Sequence, residues 1–202
     1  MKNIFFAPIV SLMLLGCFAA TQKPSADSRH VVAVSNQSAD TDLEALELEV
    51  HKRINDERGK KKIAALKNTK GLVMLARNHS ADMAIRNYIA HINPEGESPT
   101  DRAVKAKFEC QTKSFDGVFP TGIGENIFMS YLYENYEVLI VDGVESRTYN
   151  WKSFDQMARE IVKEWMGSKG HKENILRKDY HYGGIGIATN QDYQIFVTQT
   201  FC

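Results

Sequence analysis

Surplus charge, cysteine and long apolar runs are all scarce in this chain. Its 202 residues carry 25 basic and 25 acidic side chains, and a formal charge of zero excludes the strongly basic profile of a general nucleic-acid binder. Three cysteines are too few for a disulfide-built scaffold. The composition is neither collagen-like nor low-complexity, and an aromatic content of 10% belongs to a folded chain. The chain has no His-Glu-x-x-His helix, which removes the strongest sequence sign of a metalloprotease, and no Gly-x-Ser-x-Gly elbow. Gly122-x-Gly124 and Gly183-Gly184-x-Gly186 lack the strand-to-helix setting of a nucleotide loop. Beyond the N-terminus no apolar segment is long enough to cross a membrane.

The one apolar run that stands out follows Lys2 and extends from Ile4 to Leu15. A basic start and an apolar stretch too short to span a bilayer read as a secretory signal. Leu14-Leu15-Gly16-Cys17 resembles the lipobox of bacterial lipoproteins, which implies removal of residues 1–16 and acylation of Cys17. Several acyl chains anchor firmly where one is marginal. Ordinary secretion, with cleavage after Ala19 or Ala20, is the alternative. Lipidation implies a bacterial cell envelope, with the membrane as partner. Phe18 is not an acidic retention signal, which leans towards an outer membrane in a cell that has one. Residues 17–40, rich in Ser, Ala, Gln and Asp, read as a disordered tether interrupted only by Val31 to Val34. Residues 41–202 then form one domain. Processing leaves 24 bases and 25 acids, still without the basic surplus of a nucleic-acid binder.

Within the domain, Thr41 or Asp42 can cap a helix with Leu43, Leu46, Val50 and Ile54 on one stripe, ended by Arg58-Gly59. Gly71 opens a second, to about Tyr88, with Leu72, Leu75, Ala76, His79 and Met83 on its buried face. Ser98-Pro99-Thr100-Asp101 starts a short third helix. Residues 108–124, with Gly117, Pro120, Gly122 and Gly124, read as irregular. Asp142-Gly143 marks a hairpin between Tyr136 and Tyr149. Phe154 to Met166 is another amphipathic helix, closed by Gly167. The runs 184–188 and 193–198 read as two adjacent strands. Helices first and strands last make an α+β pattern.

Several ordered motifs now resemble the CAP superfamily, which includes the cysteine-rich secretory, antigen 5 and plant pathogenesis-related proteins. Ala76-Arg77-Asn78-His79-Ser80-Ala81-Asp82-Met83-Ala84 with Tyr88-Ile89-Ala90-His91 is similar to its second helix and following turn. Asn93 to Pro99 with Arg102, Gly124-Glu125-Asn126-Ile127, and Trp165 to His171 with Asn174-Ile175-Leu176 continue the bacterial form, as does Tyr182 to Ala188. The resemblance covers roughly residues 43–202. It implies an α-β-α sandwich with a mainly antiparallel central sheet, and an open cleft where His91, His171 and Glu125 converge. In many eukaryotic members a second acid stands three residues after the tryptophan; here that place is Ser168.

Two neutral imidazoles offer nitrogens to a divalent metal, zinc foremost, and a carboxylate can orient or ligate, giving an open, weakly bound site. Glu125 is then the candidate base if metal-bound water hydrolyses an envelope peptide or polymer. A cleft that binds a lipid, glycan or protein ligand, or an interaction module held together by a polar network, are the other readings. The missing second acid weighs against catalysis. Ser168 is counted with His91, Glu125 and His171 among the residues of the ligand-binding cleft; it stands three residues from His171, which makes a serine nucleophile conceivable, but a cap on the following helical turn is the plainer role. His79 reads as a satisfied core residue, and His51 and His181 have no metal-ligand spacing. Trp151 and the tyrosines at 131, 133, 136 and 149 surround the hairpin, packed onto the domain or facing a lipid or glycan. With Cys17 assigned to lipid, Cys110 and Cys202 remain, either bridged or as two free thiols; an exported domain favours the bridge.

Overall fold

The computed structural model describes residues 42–110 and 122–202 with their side chains. Elsewhere it describes only the backbones of three short strands, Val32–Ala33 (β1), Gln111–Ser114 (β3) and Gly117–Pro120 (β4). The expected signal segment and Cys17 lie outside the described residues, as does most of the expected tether. Two of the tether's residues, in β1, lie in a strand.

The helices are α1 (Leu43–Lys60), α2 (Lys70–Arg86), α3 (Pro99–Lys105), α4 (Phe154–Gly167) and α5 (Lys169–Ile175). The longer strands are β5 (Gly124–Tyr131), β6 (Tyr133–Val141), β7 (Val144–Trp151), β8 (Tyr182–Thr189) and β9 (Gln194–Phe201), with β2 a two-residue strand at Lys67–Asn68. Asp42 caps α1, its side chain accepting from the Ala45 N–H. Ser98 with Asp101, and Ser153 with Gln156, form reciprocal capping boxes at α3 and α4, each satisfying backbone donors that a helix start leaves open.

The central sheet runs in the order β2-β8-β9-β5. Its β8–β9 and β9–β5 pairs are antiparallel and its β2–β8 pair is parallel. Alternation along the strands divides the core in two. Ile185, Ile187, Ile195, Val197 and Phe201 face α1 and α4, meeting Leu46, Val50, Ile54, Met157, Ile161 and Trp165. The opposite face receives α2: Phe196 packs with Met83, and Thr198 and Thr200 hydrogen-bond Ser80 Oγ and the Leu72 carbonyl. Helices on both faces of a mainly antiparallel sheet are the α-β-α arrangement expected. On this second face the Gly184-x-Gly186 pair has a packing role. A Cβ on Gly186 would lie 2.0 Å from the Arg77 backbone nitrogen, and one on Gly184 2.4 Å from that of Val73. Helix α2 sits directly against strand backbone there, which only glycine permits.

Arg58 extends the α1 stripe inward rather than ending the helix. It is fully buried, and its guanidinium donates to the carbonyls of Ala64, Ile175, Arg177 and Tyr180. The stretch expected to be irregular contains a small antiparallel ribbon, β3–β4, registered from Gln111 with Pro120 to Ser114 with Gly117. A short ribbon satisfies its backbone groups locally without a periodic apolar pattern, so sequence periodicity did not mark it. A disulfide joins Cys110, just before this ribbon, to Cys202 at the end of β9, with Cα atoms 5.6 Å apart.

The hairpin of β6 and β7 turns at Asp142 and Gly143, both at positive φ (51° and 79°), as a two-residue turn matched to strand twist requires. Tyr133, Tyr149 and Trp151 stack at its base, and Tyr149 and Trp151 pack against Tyr193 in the β8–β9 turn. Tyr131 and Tyr136 remain substantially exposed. β1 pairs parallel with β7, giving a second sheet ordered β1-β7-β6.

Candidate functional site

Glu125 is the second residue of β5, where the strand runs beside β9 and its side chain points into the protein, 2% exposed. Such a buried carboxylate needs partners. Its Oε1 accepts from His91 Nδ1 at 2.9 Å and its Oε2 from Arg102 Nη2 at 2.6 Å. Arg102 stands on α3 and also donates to the carbonyls of His91 and Glu97. One guanidinium thus holds both the carboxylate and the turn that carries His91. Asn93 fastens that turn through Glu97, accepting from its backbone N–H and donating to its carboxylate.

The next residue stitches β5 to α5. Asn126 Nδ2 donates to the His171 carbonyl at 3.1 Å, while Asn174 Nδ2 reaches the Glu125 carbonyl and Asn126 Oδ1. Trp165 Nε1 donates to the Ile127 carbonyl, fixing α4 on the same strand. His91 and Glu125, expected together, are in direct contact, and His171 joins them through α5. Ser168 occupies the N-cap position of α5, but its side chain makes no capping bond. The capping role expected for its hydroxyl is therefore absent.

Because Glu125 accepts at His91 Nδ1, that nitrogen carries a proton, and the carboxylate fixes the orientation of the ring. The His91 side chain is 47% exposed. Burial, together with the neighbouring His91 charge, pushes the His171 imidazole below its usual 6.5. The His171 ring therefore meets the cleft in a form able to donate a lone pair near neutral pH.

His79 departs from expectation. It is buried, but it belongs to the edge of this network rather than to a self-sufficient core. Nε2 donates to the Ala90 carbonyl at 3.0 Å and lies 3.8 Å from Glu125 Oε1, while Nδ1 has no partner. Burial lowers its imidazole, against the pull of Glu125. Sequence reasoning missed this residue and the bond from Arg102 to Glu125. The one sequence signal for His79 was its place on the α2 face that ends next to His91.

Could the residues present hold a metal? Among the described residues, no three His, Cys, Asp or Glu side chains are grouped to do so. Glu125 is committed on both oxygens, which leaves His91 and His171 as donors. That pair suits a cation only where ligand or solvent fills the remaining positions. Grooves of about 800 and 590 Å³ lie elsewhere, the first lined mainly by α1 and α4 and the second by residues around His79 and Arg102; neither is lined by His91 or His171.

Comparison with known proteins accords with this geometry. Residues 51–201 match the model of the CAP family, described as the cysteine-rich secretory protein family. Among curated relatives, the uncharacterized protein YkwD of Bacillus subtilis is 30% identical over 149 residues, covering 74% of this chain and 45% of its own length. The uncharacterized membrane protein YlbC of the same organism is 26% identical over 61% of this chain and 26% of its own. The chain thus spans less than half the length of these relatives. In fold it is similar to an outer surface protein of Borrelia burgdorferi (TM-score 0.58, 16% identity, 80% of this chain and 94% of that one). It is also similar to an extracellular SCP-domain protein of Bacillus anthracis (TM-score 0.53, 21% identity, 78% and 40%). With the family model matching three-quarters of its length, this chain belongs to the CAP, or cysteine-rich secretory protein, family.

Proposed function

We propose that this CAP protein is exported and lipid-anchored through Cys17 in a bacterial cell envelope, and that its cleft binds a ligand or a divalent cation without turning over a substrate. The observation that carries the binding reading is the double engagement of Glu125. A carboxylate that accepts from His91 on one oxygen and from Arg102 on the other is an orienting group. Taking a proton from water would weaken both bonds, because a neutral carboxyl group accepts less strongly than a carboxylate. Its service to His91 is that of a carboxylate behind a ligating histidine: it fixes the ring and the tautomer. His91 and His171 then offer two nitrogen lone pairs to a zinc-like cation or to a hydrogen-bond donor on a ligand, beside Ser168. A bound cation would supply Lewis acidity to a ligand oxygen.

Export is supported by the lipobox-like segment ending at Cys17, by the family's secretory description, and by fold likeness to proteins called outer surface and extracellular. A lipid, glycan or protein in the envelope is the class of ligand in reach of an anchored domain.

Titration of zinc by calorimetry tests the cleft. His91→Ala and His171→Ala are each expected to weaken binding at least tenfold, and Glu125→Gln by about 10–100-fold, as outer-sphere partners do. Parent-like affinity in both histidine variants would remove the cleft as the site. Hydrolysis of an envelope peptide, lost in Glu125→Gln, would overturn the non-catalytic reading. Metabolic labelling with palmitate, absent from Cys17→Ser, tests the anchor.

A further inference from the structure

Strand β6 lies at the edge of the sheet β1-β7-β6, with no strand on its outer side among the described residues. Along it Val138, Leu139, Ile140 and Val141 follow in succession, all exposed, Leu139 and Ile140 by 62 and 64%. Pairing with β7 puts Val138 and Ile140 on one face, beside Arg147 and Glu145, and Leu139 and Val141 on the other, beside Ser146 and Val144. Both faces and the edge are therefore open at once. Natural proteins blunt such an edge with lysine, proline or a bulge. Tyr133–Val141 contains no lysine, arginine or proline, and its one irregularity falls between Tyr133 and Asn135, at the far end.

A bilayer suits this strand poorly. Unpaired backbone groups of an open edge find no partners in hydrocarbon, and Asp142 would enter first. Another strand satisfies edge and faces together. Charge selects which strand. If β6 pairs antiparallel with a second β6 about an axis through Leu139, Val138 meets the partner's Ile140, Glu137 meets Val141 and Tyr136 meets Asp142. No like charges are opposed. Each cross-sheet row on one face then runs Arg147, Val138, the partner's Ile140 and the partner's Glu145, with opposite charges at its ends. Moving the axis between Leu139 and Ile140 would set Glu137 against Asp142. The two-residue turn agrees with the first register: with Val141 and Val144 closing it, alternation aims the backbone groups of Val138 and Ile140 away from β7.

We propose that β6 is a homodimerisation edge, in which two copies of this chain pair antiparallel through Tyr136–Val141 with Leu139 on the two-fold axis. Two three-stranded sheets become one of six strands, by a contact that closes on itself.

Cysteine crosslinking tests the register, using the full chain with Cys17→Ser in detergent, so that the introduced thiol is the free one. Leu139→Cys is expected to form a covalent dimer under mild oxidant at least tenfold faster than Val141→Cys, whose copies would stand about 14 Å apart along the strands. Ile140→Lys, at an exposed position, should abolish that crosslink and convert the sedimenting dimer to monomer, while the far-ultraviolet circular dichroism stays that of the parent. Equal crosslinking of the two cysteines, or a monomer at the highest soluble concentration whatever residue stands at 140, overturns the proposal. So does a monomer in which a fluorophore on Leu139→Cys is shielded only by phosphatidylethanolamine–phosphatidylglycerol vesicles, or only by an unrelated protein.

Discussion

Arg102 Nη2 lies 2.6 Å from Glu125 Oε2, and the same guanidinium holds the carbonyl of His91. The buried carboxylate and its counter-ion are therefore also the fastening of the histidine turn. Replacing Arg102 by Met should destabilise the fold by about 3–5 kcal/mol, because it leaves a buried charge without its partner. The double variant with Glu125→Gln should recover part of that loss. Urea unfolding of the four proteins of the cycle measures the coupling, and simple additivity would count against the clamp.

Burial holds His51, His79 and His171 below the ordinary 6.5 of an imidazole. The unfolded chain takes up these protons near 6.5, the native protein only at lower pH. Their contribution to stability is thus fully present above 6.5, declines as pH falls below it, and levels off once the native rings are protonated too. Thermal midpoints are expected to fall on acidification through this window, earlier than the carboxylates act: partners hold Asp82, Glu95, Glu97 and Asp101 below their own normal range. His79→Gln should flatten the slope, and an unchanged slope would mean that His79 charges freely in the native state.

Disulfide Cys110–Cys202 closes a loop of 92 residues. Cys110→Ser with Cys202→Ser should lower unfolding stability by about 2–4 kcal/mol, with the parent matching the variant once reductant is added. Denaturant titration with and without dithiothreitol checks this.

The two kinds of glycine should respond in opposite directions. Gly186→Ala drives a methyl into the backbone of α2 and should cost at least about 1–3 kcal/mol. Gly59→Ala, in α1 with nothing within 4 Å of the new methyl, should gain about 0.5–1 kcal/mol. Differential calorimetry of the pair separates close packing from helix propensity.

The readable parts of this fold are those with a local signature. The α1 and α2 stripes, the Asp142-Gly143 turn and the apolar runs of β8 and β9 each lie within one stretch of residues. Motif resemblance named His91, Glu125 and His171, though they are spread over eighty positions. Periodicity shows which side chains are buried but not what they meet. Hence His79 passed for ordinary core, Ser168 for a cap, and Arg102 for part of a motif without a bond to Glu125. The β3–β4 ribbon lacks any apolar rhythm and was legible only in three dimensions.

The buried guanidinium of Arg58 sets an order of assembly. Three of its four acceptors are carbonyls of Ile175, Arg177 and Tyr180, 117 to 122 positions further along the chain. The two middle strands of the main sheet, β8 and β9, come later still. Helix α1 is thus synthesised more than a hundred residues before the carbonyls that seat it. Contacts so distant in sequence make for slow, all-or-none folding. A truncation that removes β9 should leave a collapsed, protease-sensitive chain instead of a smaller stable domain.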